Sequence, residues 1–122
     1  MSDNHVELFR QAGEDLVRLG LTTSHGGNLS IRHQDHMLIT AHFAMAGRLD
    51  AGDIVRASLR GGADQPGVDL SRDAELHRLI YAATPAMAII HAHPPHAIAL
   101  SFKHATIRPL DLEGSSTPAS LI

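Results

Sequence analysis

The chain has 122 residues, ten of them histidine, no cysteine and a formal net charge of −3. A hydrophobic share of 43% and a mean hydropathy of −0.04 fit one ordinary globular domain, able to bury roughly two thirds of its unfolded surface. That composition excludes disulfide scaffolds and thiolate metal centres, and the charge gives no reason to expect nucleic acid or an anionic membrane as partner.

Leu8, Phe9, Ala12, Leu16 and Leu19 recur at three- and four-residue steps, so the spacing predicts an amphipathic helix from about His5 to Leu19. Asp3 or Asn4 would cap its start and Gly20 would end it. The polar N-terminus, Met1-Ser2-Asp3-Asn4-His5, lacks the layout of a signal peptide, and no apolar run approaches the ~20 residues of a spanning helix. A cytoplasmic protein, away from membranes, is the expectation.

Residues 21–28 read as a polar, glycine-bearing loop. A strand follows over Leu29–Arg32, with His36–Thr40 as its hairpin partner and a turn between. Ile54 to Leu59 alternates as another strand, and Arg60 to Gly67 is a surface loop. Ser71 is placed to cap a second helix running to about Ala83, with Leu76, Leu79, Ile80 and Ala83 as its buried stripe. Thr84-Pro85 stops that helix, and Ala86 to His93 is apolar enough for a strand. Pro94-Pro95 ends the strand, His96–Phe102 suits a short helix, and the tail holds one more candidate strand near Ile107 before a Gly-Ser-Ser-Thr-Pro loop. Helices alternating with locally paired strands predict an α/β domain of sheet and helix layers.

Three constellations could carry chemistry. His91 and His93, two apart on a strand, point to one face, where a pair of imidazoles suits a divalent metal as well as it suits a solvated strand end. Asp73 and His77 share a helix face, and the short connection through Pro85 can bring that helix beside the His91 strand. Gly26-Gly27-Asn28 can bring backbone N–H groups and an amide to an anion, or can simply form a tight turn. Ser71-Arg72 at a helix start offers an anion site, or a plain cap with a solvated arginine.

Taken together and in order, Gly26-Gly27-Asn28-Leu29-Ser30, Leu38-Ile39-Thr40, Ser71-x-Asp73-x-x-x-His77 and Ala88-Ile89-Ile90-His91-Ala92-His93 resemble the class II aldolase/adducin family, the zinc aldolases of the fuculose-phosphate type. Asp111-Leu112-Glu113-Gly114 fits some members as well. The resemblance implies a mixed, mainly antiparallel sheet layered between helices, assembled as a homotetramer with sites at subunit interfaces. It implies that His91 and His93 hold Zn2+ or another divalent metal, and that Asp73 is the catalytic acid/base. Gly27, Asn28, Ser71 and Arg72 would hold the substrate, a small phosphorylated sugar or related hydroxy-carbonyl compound. The implied activity is zinc-dependent retro-aldol cleavage.

The chain departs from the family pattern at three places. Aldolase members usually carry Glu where Asp73 stands, and Asp there is closer to the sugar-phosphate 4-epimerases. The family's phosphate loop after the second strand reads here Thr40-Ala41-His42-Phe43, without its glycine. The family's third zinc histidine lies in a later segment, so residues 1–122 are expected to form one domain of this type without its C-terminal part. Epimerase, dehydratase or decarboxylase chemistry, or a non-catalytic adducin-like oligomerisation module, are the alternatives the resemblance carries.

Overall fold

Among the described residues four strands form one sheet, in the order third, second, first and fourth along the chain, and every pairing between them is antiparallel. The structure is a computed structural model and describes residues 1–61 and 70–111. Along the chain run α1 (Asp3–Arg18), β1 (Asn28–His33), β2 (His36–Thr40), two short 3-10 turns (Ala46–Arg48 and Ala51–Asp53), β3 (Ile54–Ser58), α2 (Ala74–Ala83), β4 (Ala88–His91) and α3 (Pro95–Ser101). The expected α/β layering and dominant antiparallel pairing are therefore present. No described helix is long and apolar enough to cross a membrane.

The strands alternate, and each face of the sheet acquires its own helix. Leu29, Leu38 and Ile54 turn to one side and pack with Phe9 and Leu16 of α1. Met37, Ile39 and Ala57 turn to the other side and pack with Ala74 and Tyr81. A hairpin turn of Gln34 and Asp35, with Gln34 at a φ of 57°, pairs His33 with His36 and fixes the β1–β2 register. β4 adds to the other side of β1 and forms an edge of the described sheet.

Several expectations need correction. α1 begins after Ser2, whose backbone N–H donates to His5 Nδ1 at 3.4 Å, so the cap lies ahead of Asp3 and Asn4. Its buried face is Phe9, Gly13 and Leu16, while Leu8 and Leu19 are exposed. Gly13 is needed because a Cβ there would stand 2.0 Å from the Ala46 carbonyl oxygen, where the helix crosses the first 3-10 turn.

α2 starts at Ala74 rather than at Ser71, and it buries Ala74, His77, Arg78 and Tyr81 in place of the predicted leucine stripe. Leu79 is 67% exposed, and Ala83 is exposed too. The reason is polar complementarity: Asn28 and Ser30 of β1 present hydrogen-bonding groups to α2, and they are met by His77 and Tyr81. The candidate strand near Ile107 does not form, since residues 104–111 are irregular. The Gly-Ser-Ser-Thr-Pro loop, most of the 60–67 loop and Leu112-Glu113-Gly114 lie outside the described residues.

Candidate functional site

The start of β1 and the end of β4 meet at one register position, where Asn28 pairs with His91. The 21–27 loop closes over this point: the His93 backbone N–H donates to the Leu21 carbonyl at 2.8 Å. Gly27 takes a φ of 71°, and a Cβ on it would stand 2.1 Å from the His91 carbonyl oxygen. No other residue type fits that conformation and approach together. β4 ends at His91, so His93 lies just past the strand. The two rings are nonetheless neighbours, with centroids 5.0 Å apart and planes at 72°.

The approach to α2 supplies the other half of the cluster. Ser71 and Asn28 are both buried, at 8% exposure. Asn28 Nδ2 donates to Ser71 Oγ at 3.0 Å and to Asp73 Oδ2 at 2.6 Å. Ser71 Oγ also accepts from the Asp73 backbone N–H at 3.3 Å, while Asp73 itself occupies the N-cap position of α2. Ser71 is thus a side-chain hub two residues ahead of the cap, not the cap expected. Arg72 is exposed and has no hydrogen bond to this cluster among the described residues.

The Asn28 amide draws the Asp73 carboxyl below the ordinary aspartate range, with His91 adding to the pull and partial burial opposing it. Asp73 Oδ2 lies 2.9 Å from His91 Nδ1, a polar contact that joins the start of α2 to the end of β4. Thr22 Oγ1, which would stand 3.3 Å from a Cβ on Gly27, is buried without a hydrogen-bond partner. A buried hydroxyl without a partner is costly, and this one borders the contact between Gly27 and His91.

The donor chemistry suits a divalent metal at His91 and His93, two adjacent imidazoles beside the Asp73 carboxylate. No group of three or more histidine, aspartate or glutamate side chains able to hold an ion converges among the described residues. Two imidazoles are fewer than the three protein ligands usual for a catalytic zinc.

Of the seven residues singled out from the sequence, Gly27, Asn28, Ser71, Asp73, His91 and His93 come together and Arg72 does not. His77, given no role of its own from the sequence, is central. It is fully buried, with Ser30 Oγ 2.6 Å from Nδ1 and Asn28 Oδ1 2.5 Å from Nε2. Burial pushes its pKa down to about 4, with His91 adding and Asp73 opposing. Its sequence signals were the i, i+4 spacing and its place in the family-like Ser71-x-Asp73-x-x-x-His77 stretch; Ser30 stood in such a stretch without a role, and Thr22 gave no signal. Phe43, in the altered loop after β2, is 73% exposed beside His42, with ring centroids 4.4 Å apart.

Residues 7–118 match the family model of the Class II Aldolase and Adducin N-terminal domain. Among solved structures, the l-fuculose-1-phosphate aldolase of Thermus thermophilus superposes with a TM-score of 0.82 at 40% identity, covering 91% of this chain and 55% of that one. The methylthioribulose-1-phosphate dehydratase of Marinobacter nauticus is 34% identical over 106 residues, covering 85% of this chain and 51% of the relative. The 3-oxo-tetronate 4-phosphate decarboxylase of Cupriavidus necator is 33% identical over 93 residues, covering 73% of this chain and 41% of the relative. The chain thus spans about half the length of these proteins.

Proposed function

The chain belongs to the class II aldolase and adducin family, and from that premise we propose that it carries the core of a metal-dependent lyase site that cleaves a small phosphorylated sugar, or a related hydroxy-carbonyl compound, by retro-aldol chemistry. The observation that carries this reading is the single cluster of Asn28, Ser71, Asp73 and His91, drawn from three separate elements onto one point.

Asp73 moves the proton. Its Oδ2 is held by Asn28 and faces His91, while Oδ1 is in no hydrogen bond among the described residues and is the oxygen open to a substrate proton. Its carboxylate is ionised at neutral pH and can accept that proton from a hydroxyl or return it to a carbanion carbon. Ser71, whose hydroxyl proton is committed to neither Asn28 nor Asp73, anchors the substrate beside it, with Asn28 forming the adjoining wall of the substrate site, Gly27 allowing close backbone approach and Arg72 supplying positive charge at the rim. His91 and His93 hold the metal, Zn2+ or another divalent ion, with further ligands from outside the described residues. When bound, that ion supplies electrophilic stabilisation of charge on the substrate oxygens. A cytoplasmic homotetramer is the assembly this reading carries.

A second reading, dehydration or decarboxylation of a phosphorylated sugar acid or ketose, uses the same residues, and the activities named for two of the relatives favour it. Asp73 in place of glutamate keeps a 4-epimerase reading alongside these. A non-catalytic adducin-like module is the reading the exposed Phe43 favours. The deciding experiment uses the full-length gene product loaded with Zn2+ and a panel of ketose phosphates. Aldehyde release supports the aldolase, water loss the dehydratase, and pentulose phosphate interconversion the epimerase. No turnover and no bound metal would leave only the non-catalytic module.

A further inference from the structure

The hydrogen bonds behind Asp73 form one chain whose proton positions are dictated by its ends. Asn28 Nδ2 faces the Asp73 carboxylate at 2.6 Å and the Ser71 hydroxyl at 3.0 Å. The reversed amide would set two acceptor oxygens against each other at that distance, so Asn28 Oδ1 is the atom that meets His77. A carbonyl oxygen only accepts, so His77 Nε2, 2.5 Å away, carries the ring proton. A neutral ring has a single N–H, and Nδ1 must then accept from the Ser30 hydroxyl at 2.6 Å. With that proton committed, Ser30 Oγ accepts from the Tyr81 hydroxyl at 2.7 Å. The Tyr81 end is itself tied down: Arg32 Nη1 donates to the Tyr81 carbonyl at 2.9 Å, and its guanidinium carbon lies 5.7 Å from the ring centroid.

Ser30, His77 and Tyr81 are at most 2% exposed, so water cannot substitute for a missing partner. None of the three reaches the substrate region occupied by Asp73 and His91; they act through Asn28. We infer that His77, fixed as its Nε2–H tautomer by Ser30 and Tyr81, is a positioning residue that locks the Asn28 amide with its N–H side on Asp73. This rests on the reading of Asp73 as the proton carrier. It adds a requirement absent from that reading: a neutral imidazole one residue removed from the reacting groups sets the orientation of the carboxylate. Burial, which disfavours the charged ring, keeps His77 in the state the chain needs.

The test uses the full chain and nuclear magnetic resonance, so it does not depend on turnover. Long-range proton–nitrogen spectra of the wild type are expected to show His77 neutral with the proton on Nε2. A ring protonated on Nδ1 overturns the inference outright. Two variants split the ring's functions. Gln in H77Q places a donor near the imidazole Nε2, whereas Asn in H77N reaches only as far as Nδ1. In H77N the Asn28 side-chain amide is expected to exchange with solvent on the order of tenfold faster, as for one lost hydrogen bond, while H77Q keeps wild-type protection. Equal protection in H77N and H77Q, or loss in both, reduces His77 to a packing residue and overturns the inference. Should H77N fail to fold, protection in H77Q decides it in the same way. Absence of lyase activity would count against the proposed function and leave these spectra unaffected.

Discussion

Gly27 lies directly against the carbonyl of His91, leaving only 2.1 Å between that oxygen and the place where a Cβ would stand. The contact joins the glycine loop to the end of β4, and Asn28 and His91 are paired in the very next position. Gly27→Ala meets both a backbone clash and a left-handed φ of 71°. A loss of about 1–3 kcal/mol is expected from the strain alone, with the contact adding to it. Urea unfolding of the full chain measures this. An alanine variant as stable as the wild type would show that the loop does not pack on His91 as described.

Acid should destabilise the fold through His77. Its folded pKa, about 4, lies below the ordinary 6.5, so between these values the unfolded chain binds a proton that the folded one refuses. The contribution is therefore fully present above pH 6.5 and is lost as pH falls toward 4, on the order of 3 kcal/mol across the window. The titratable groups closest to His77 in charge are His91 and Asp73, and Tyr81 stays neutral throughout, its pKa raised by burial. Unfolding free energies at pH 7, 5.5 and 4.5 should fall more steeply for wild type than for H77Q. Identical slopes would remove His77 as the source.

Much of this site could be read from the sequence because its parts are short and local. Hydrophobic alternation located β1, β2 and β3 to within a residue, and His91-Ala92-His93 announced itself by spacing. What alternation cannot reveal is a helix that turns its polar side inward. Leu76, Leu79, Ile80 and Ala83 form a regular stripe, yet His77 and Tyr81 face the sheet because Ser30 and Asn28 satisfy them. A buried polar network depends on two distant segments at once, and neither shows it alone. The displaced start of α2 has the same origin: the Ser71 hydroxyl is shared between Asn28, a residue 43 positions earlier, and the backbone N–H of Asp73.

Metal binding should depend on the two adjacent histidines and be independent of turnover. Titrating the full chain with Zn2+ alone, followed by calorimetry or thermal shift, is expected to give binding at about one ion per chain. His91→Ala and His93→Ala should each abolish it, since each removes one of the two adjacent imidazoles assigned to the ion. His33→Ala, in the hairpin at the far end of β1, should leave it unchanged. Binding that survives both His91→Ala and His93→Ala would place the ion elsewhere.

The sharpest separation of roles is expected at Asp73. Asp73→Asn keeps an acceptor oxygen for the Asn28 amide, which donates to the native carboxylate at 2.6 Å, so the cluster should persist and stability change little. Zn2+ binding should persist as well, because His91 and His93 remain. What is lost is the group that takes up and returns a proton, and general acid–base catalysis contributes typically 10²–10⁴-fold. Turnover of the full-length enzyme should therefore fall by about that factor while metal content and melting temperature hold. Asp73→Glu makes the complementary point. It restores a carboxylate but extends it by one methylene from a hub already fitted to Asn28 and Ser71, and a misplacement of ~1 Å can cost about 10²-fold. Reduced activity in both variants, with metal retained, means that this site needs the carboxylate and its position together; an asparagine variant with wild-type turnover would remove Asp73 from the chemistry.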